Sequence, residues 1–117
     1  MINPVGSTLS ALRAFGKKMD VTANNIANVL TDEFKKSRAT LSEGQNGGVS
    51  VNIEQVDTPG FPKETIRDDQ VVPTESSNVD LAEELTEMIP TKTAYSANLK
   101  TLRTREEMMG SLLDILS

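Results

Sequence analysis

The side chains able to do chemistry in this sequence are few, and their types exclude more than they suggest. There is no His and no Cys, which removes the commonest general base, the commonest metal ligand, thiolate nucleophiles and disulfides together. The adjacent carboxylates Asp68 and Asp69 come nearest to an acid–base pair. They stand in an acidic, Pro-containing stretch with no matched base, nucleophile or ligand set, and so read as solvated groups. Met88, Met108 and Met109 fit adaptable packing better than a ligand site. Tyr95, the single tyrosine, falls on an apolar stripe, where its ring packs and its hydroxyl reaches a rim partner. No glycine-rich phosphate loop is present. The basic cluster Lys35, Lys36, Arg38 is short, lacks interleaved aromatics and sits in a chain of net charge −5, which argues against nucleic acid. The chain is therefore expected not to be an enzyme, to take no cofactor, metal or small-molecule substrate, and to act through its surfaces.

Asn24, Asn25 and Asn28 lie within five residues and are poor helix formers. Two readings stand at this point. Their amides hydrogen-bond across an interface and shape a bend, or they mark the fraying end of a helix.

The elements that position these residues follow from apolar spacing. At 117 residues and 37% hydrophobic content, with only three Phe and one Tyr, the chain has one domain's length and a lean core. It depends on Leu, Ile, Val and Met, the residues of helix seams. Over about residues 4–30, Asn3 offers a cap and Pro4 a preset first position. Val5, Leu9, Leu12, Gly16, Met19, Ala23, Ile26 and Leu30 then follow 4-3-4-3 spacing, the a/d pattern of a coiled coil. Phe15 widens that stripe, small Gly16 and Ala23 would admit a close partner, and Arg13, Lys17, Lys18 and Asp20 face away. Over about 77–116, Ser77 and Asp80 suggest a capping-box start, and Asp80, Glu83 and Glu84 favour the positive end of the helix dipole. The stripe continues through Leu81, Leu85, Met88, Lys92, Tyr95, Leu99, Leu102, Glu106, Met109, Leu113 and Leu116. Pro90 removes one helical hydrogen bond, so a kink is expected there.

Between the helices, Gly44-Gln45-Asn46-Gly47-Gly48 is a strong turn signal. Val49, Val51 and Ile53 alternate with polar residues as a half-buried strand should, with the segment from Phe34 to Leu41 as partner. Pro59, Gly60, Pro62 and Pro73 make the remainder an extended connection. The expected fold is mainly α: two long amphipathic terminal helices paired as an antiparallel coiled coil, with a small β-hairpin and an extended Pro/Gly loop between them. Residues 1–33 form the first helical part, 34–76 the hairpin and loop, and 77–117 the second helical part, all in one structural unit.

Charge divides along the chain: residues 1–40 carry a net +3, residues 41–90 a net −9 and residues 91–117 a net +1. The basic third and acidic middle would complement one another within a chain or between neighbours, or be solvated faces. No apolar run approaches the roughly 20 residues of a membrane span, and the N-terminus lacks a cleavable signal pattern. Helices of this length leave apolar stripe uncovered by a single partner, so assembly is expected, with filament and closed oligomer both open.

Two stretches go beyond generic helix pattern. Residues 9–36, centred on Asn24-Asn25-Ile26-Ala27-Asn28 and followed by Thr31 and Phe34-Lys35, resemble the N-terminal signature of flagellar rod and hook axial proteins. Residues 76–116 resemble that family's C-terminal signature at Asn78-Val79-Asp80-Leu81, Met88-Ile89, Ala94-Tyr95, Ala97-Asn98 and Glu107-Met108. The short middle is similar to proximal-rod members, while the C-terminal wording is closer to longer ones. The resemblance implies a structural subunit of the basal-body rod, exported by the flagellar type III apparatus without a cleavable signal. It also implies helical polymerisation through the terminal helices, with other axial proteins as partners and torque transmission as the role. It shifts the asparagines toward assembly. The expected interface comprises Leu9, Leu12, Phe15, Met19, Asn24, Asn25, Ile26, Asn28, Leu81, Leu85, Met88, Tyr95, Asn98, Leu99, Leu102, Met109 and Leu113. Two departures stand out. Glu33 replaces the family's usual Gly, which matters if that position needs φ > 0, and Lys92-Thr93 replace Gln-Arg before Ala94-Tyr95. The alternative is a soluble coiled-coil adaptor that forms a closed oligomer.

Overall fold

The computed structural model describes residues 4–117. The expected Asn3 cap lies outside the described residues. The first helix, α1, spans Pro4–Ala27. After a turn, β1 (Ser37–Glu43) and β2 (Val49–Gln55) pair antiparallel around a tight loop at Gln45–Gly47, in which Asn46 and Gly47 are left-handed with φ of 61° and 80°. A second antiparallel pair follows, β3 (Pro62–Arg67) and β4 (Gln70–Glu75). The second helix, α2, runs over Leu81–Leu116 and passes through Pro90 without interruption.

The second hairpin corrects the expected fold. The chain is not a pair of helices with one small hairpin and an extended Pro/Gly loop; two separate two-stranded sheets stand between the helices, and 23% of residues are in strands. Prolines argue against central strands, but in a two-stranded sheet each strand is an edge. Ser76 N–H donates to Phe61 C=O at the base of this hairpin. Counting alternation from that bond, the pairs Pro62–Glu75 and Glu64–Pro73 fall at non-hydrogen-bonded positions, where a missing N–H costs nothing. Asp68 and Asp69 have φ of 51° and 60° and supply the two left-handed residues that a type I′ hairpin turn requires.

The helix seam is corrected too. Asn25 lies against Glu84, and a Cβ built on Gly16 would meet the Tyr95 ring at 3.7 Å. The helices therefore run antiparallel. The buried residues of α1 are Ala11, Ala14, Thr22 and Asn25, a stripe about one residue round from the expected apolar one. On α2 the buried Glu84 and Thr91 alternate with half-buried Met88, Tyr95, Asn98 and Leu102. Small and polar side chains thus form the line of closest approach, while Leu9, Leu81, Leu85 and Leu99 remain exposed. Ala23 is exposed, so it admits no close partner within the chain.

The N-cap of α2 is Asp80, whose carboxylate accepts from the N–H groups of Ala82 and Glu83. Ser77 instead turns the chain ahead of the helix, its hydroxyl accepting from Val79 N–H. Both residue types are good caps, and Asp80 takes the role because its carboxylate accepts from the first free N–H groups of the helix while the Ser77 hydroxyl is spent on the turn before it.

Candidate assembly surfaces

Two asparagine side chains, one from each end of the chain, clasp the open end of the first hairpin. The Asn25 amide donates to Ser37 C=O at 2.8 Å and accepts from Ser37 N–H at 3.0 Å, imitating a strand neighbour. Its Nδ2 also donates to the Glu84 carboxylate at 3.3 Å. Asn25 is 1% exposed, so these bonds decide whether a buried polar group is satisfied. On the other side, Asn78 accepts from Lys36 N–H at 2.7 Å and donates to the carbonyls of Val56 and Thr58 at 2.8 and 2.9 Å. The loop end of the hairpin is fixed separately. Ser10 Oγ accepts from Val49 N–H, and Ser7 Oγ donates to Gly47 C=O. The first hairpin therefore lies along α1, held at both ends.

Burial pushes the Glu84 carboxyl above its ordinary range. The Asn25 hydrogen bond and Lys36 oppose that, while Glu87 and Glu83 add to it. Lys36 also lies 3.7 Å from Glu83. Among the described residues no cluster of His, Cys, Asp or Glu could hold a metal ion, and no helix is long and apolar enough to cross a membrane.

The turn between α1 and β1 hangs on two residues. Asn28 N–H donates back to Asn24 and Asn25 C=O, and Thr31 donates to Asn28 through backbone and side chain. Glu33 has φ of 62°, so the position where the family usually has Gly is indeed left-handed. Glu33 is held there by its N–H on Glu75 C=O and by Thr74 Oγ1 donating to its carboxylate. Lys35 with Glu75, and Lys63 with Asp32 at 2.7 Å, tie down the base of the second hairpin.

The residues expected at an interface divide into groups. Asn25 is engaged inside the chain, and Leu12, Phe15, Met19, Ile26, Asn28, Met88, Tyr95, Asn98 and Leu102 are half-buried. Leu9, Asn24, Leu81, Leu85, Leu99, Met109 and Leu113 are exposed. Carrying the register of the helices outward brings Pro4 level with about residue 106, so about ten residues of α2 continue beyond it. In that stretch Met108, Leu113, Ile115 and Leu116 are 67%, 61%, 79% and 75% exposed. Sequence reasoning did not anticipate the clasp by Asn78 or the apolar face of the second hairpin. For the hairpin a signal existed: Thr65-Ile66-Arg67 and Gln70-Val71-Val72 flank a two-residue acidic turn.

Comparison with known proteins matches both ends. Residues 7–35, covering α1 from Ser7 onward and the turn after it, match the model described as flagella basal body rod protein. Residues 74–115, covering the Asn78 clasp and α2, match flagellar basal body rod FlgEFG protein C-terminal. The chain is also 46% identical over 43 residues to the flagellar basal-body rod protein FlgG of Bacillus subtilis (strain 168), a match spanning 37% of this chain and 16% of that protein. The two matched segments are those that carry the clasping asparagines and the paired helices, and on them the chain belongs to the flagellar basal-body rod protein family.

Proposed function

We propose that this chain is a structural subunit of the bacterial flagellar basal-body rod that polymerises helically through its terminal helices and transmits torque. What carries the reading is the uncovered end of α2. Its apolar residues beyond the reach of α1 are half or more exposed, an arrangement that an isolated molecule gains nothing from and a neighbour would bury. The seam adds support. By packing small and polar residues against one another, the chain keeps its larger leucines for contacts outside itself. The clasped first hairpin braces α1, and with the second hairpin the molecule measures 78 Å in length and 24 Å across.

The partners in this reading are further copies, other axial proteins and the flagellar export apparatus. A tagged chain expressed in flagellated cells tests it directly. The chain should leave the cytoplasm only when the export apparatus is intact and should cofractionate with purified basal bodies. Retention in the cytoplasm as a soluble species, with intact flagella present, would overturn the assignment and favour an adaptor.

A further inference from the structure

Among the apolar surfaces left exposed outside the helix seam and the clasps, two carry opposite charge. The first is the free face of the β3–β4 hairpin. Ile66 and Val71 face one another across the ladder and are 74% and 64% exposed. Glu64 shares their face by alternation, and Asp68 and Asp69 form the tip. Among the described residues, Glu64, Arg67, Asp68 and Asp69 have no ion-pair partner, so three carboxylates stand against one guanidinium. The second surface is an open groove along α2 with Met108, Met109 and Leu112 as its floor and Lys100 and Arg105 at its side. Neither cation is ion-paired among the described residues, whereas the neighbouring Arg103 is matched by Glu107 at 3.5 Å.

Within one chain these surfaces do not meet. The base of the hairpin is fixed beside the start of α2, and the middle of the groove lies about 35 Å further along that helix. The hairpin packs extensively against neither helix. Of the 78 Å long axis, α2 supplies about 54 Å, and the length left over matches the roughly 20 Å of a six-residue strand pair. The acidic surface therefore lies toward one end of the molecule and the basic one toward the other.

We propose that the β3–β4 hairpin of one copy docks in the α2 groove of a second copy, head to tail. Ile66 and Val71 lie against Met108 and Leu112, and Glu64, Asp68 and Asp69 face Lys100 and Arg105. The contact is heterologous, so repetition extends it along the axis unless rotation closes a ring. It rests on the rod reading above and names the axial contact within it.

The test uses two charge-reversed forms of the full chain. One carries Glu64→Lys, Asp68→Asn and Asp69→Gly, a turn sequence that keeps the left-handed residues favourable. The other carries Lys100→Glu and Arg105→Glu on an exposed helix surface. Circular dichroism checks that both retain the parent's helix content. Each alone should self-associate at least about tenfold more weakly than the parent, because like charges then face each other. An equimolar mixture should recover association, since every hairpin again meets a groove of opposite sign. Association of the unaltered chain should also weaken as salt rises. Parent-like, salt-insensitive association of both variants, or no recovery on mixing, would overturn the docking and leave the rod reading standing. A parent chain monomeric at every concentration and salt would overturn both.

Discussion

Asn25 and Glu84 meet at 3.3 Å across the seam between α1 and α2, and the same asparagine amide pairs with both backbone polar groups of Ser37 on β1. One buried side chain therefore joins three elements. Removing it leaves two backbone groups and a buried carboxylate short of partners. Asn25→Ala should cost about 2–4 kcal/mol in urea denaturation, whereas Asn24→Ala, at an exposed position, should stay within about 0.5 kcal/mol. Equal effects at the two sites would contradict the clasp.

The same contact gives a pH dependence. Because burial raises the Glu84 carboxyl above its ordinary value of 4.5, the folded chain holds that proton more tightly than the unfolded one. Its contribution is most favourable below pH 4.5 and declines as pH rises through the folded value. Glu84→Gln keeps an acceptor for Asn25, so it should raise the thermal midpoint at pH 7 and flatten this part of the profile. Lys36, Glu83 and Glu87 face the site and shape the remainder. A lower midpoint for Glu84→Gln at pH 7 would show that ionised Glu84 is favourable where it stands.

Two glycines separate close approach from open space. A Cβ at Gly60 would lie 1.9 Å from Ser76 O, which is backbone and cannot rotate away. Gly60→Ala should destabilise by at least about 2 kcal/mol. At Gly16 the added carbon would make an ordinary 3.7 Å contact with the Tyr95 ring. There, Gly16→Ala should be neutral or stabilising by up to about 0.8 kcal/mol through helix propensity. Paired thermal melts of the two variants read the difference directly.

Left-handed positions occupied by ordinary residues give gains in the other direction. Asp69→Gly should stabilise by about 0.5–1 kcal/mol by relieving a φ of 60°. Glu33→Gly relieves a similar angle but loses the hydrogen bond from Thr74. Its net gain should be smaller, a few tenths of a kcal/mol. Guanidinium titrations resolve the order, and a larger gain at Glu33 would mean that the strain of a left-handed Glu, which tolerates φ > 0 less well than Asp, outweighs its bond from Thr74.

What the sequence made legible follows from which signals were unambiguous. Helical spacing marked the stretches holding α1 and α2, and the glycine-rich run Gly44–Gly48 marked the first turn. The second hairpin stayed hidden because Pro62 and Pro73 signal against strand pairing, and only an isolated edge pair tolerates them. The seam was misplaced for a different reason. Leu85, Lys92 and Leu99 share a heptad-like line with Met88 and Tyr95, but closest packing favours the neighbouring line through Glu84, Thr91 and Asn98, whose side chains are shorter or hydrogen-bonded. Apolar periodicity cannot choose between overlapping lines when the chain reserves its larger apolar residues for the outside. Asn25 was singled out for its type, yet its acceptors and donors come from residues 12 and 59 positions away, which no local pattern specifies.

The central claim is that the exposed apolar length of α2 is an assembly surface, and sedimentation velocity with circular dichroism across a wide concentration range tests it most directly. The account predicts sedimentation coefficients that broaden and climb without a plateau, with helicity rising alongside as the free end of α2 becomes covered. A single species of fixed size, with constant helicity over the whole range, would contradict it.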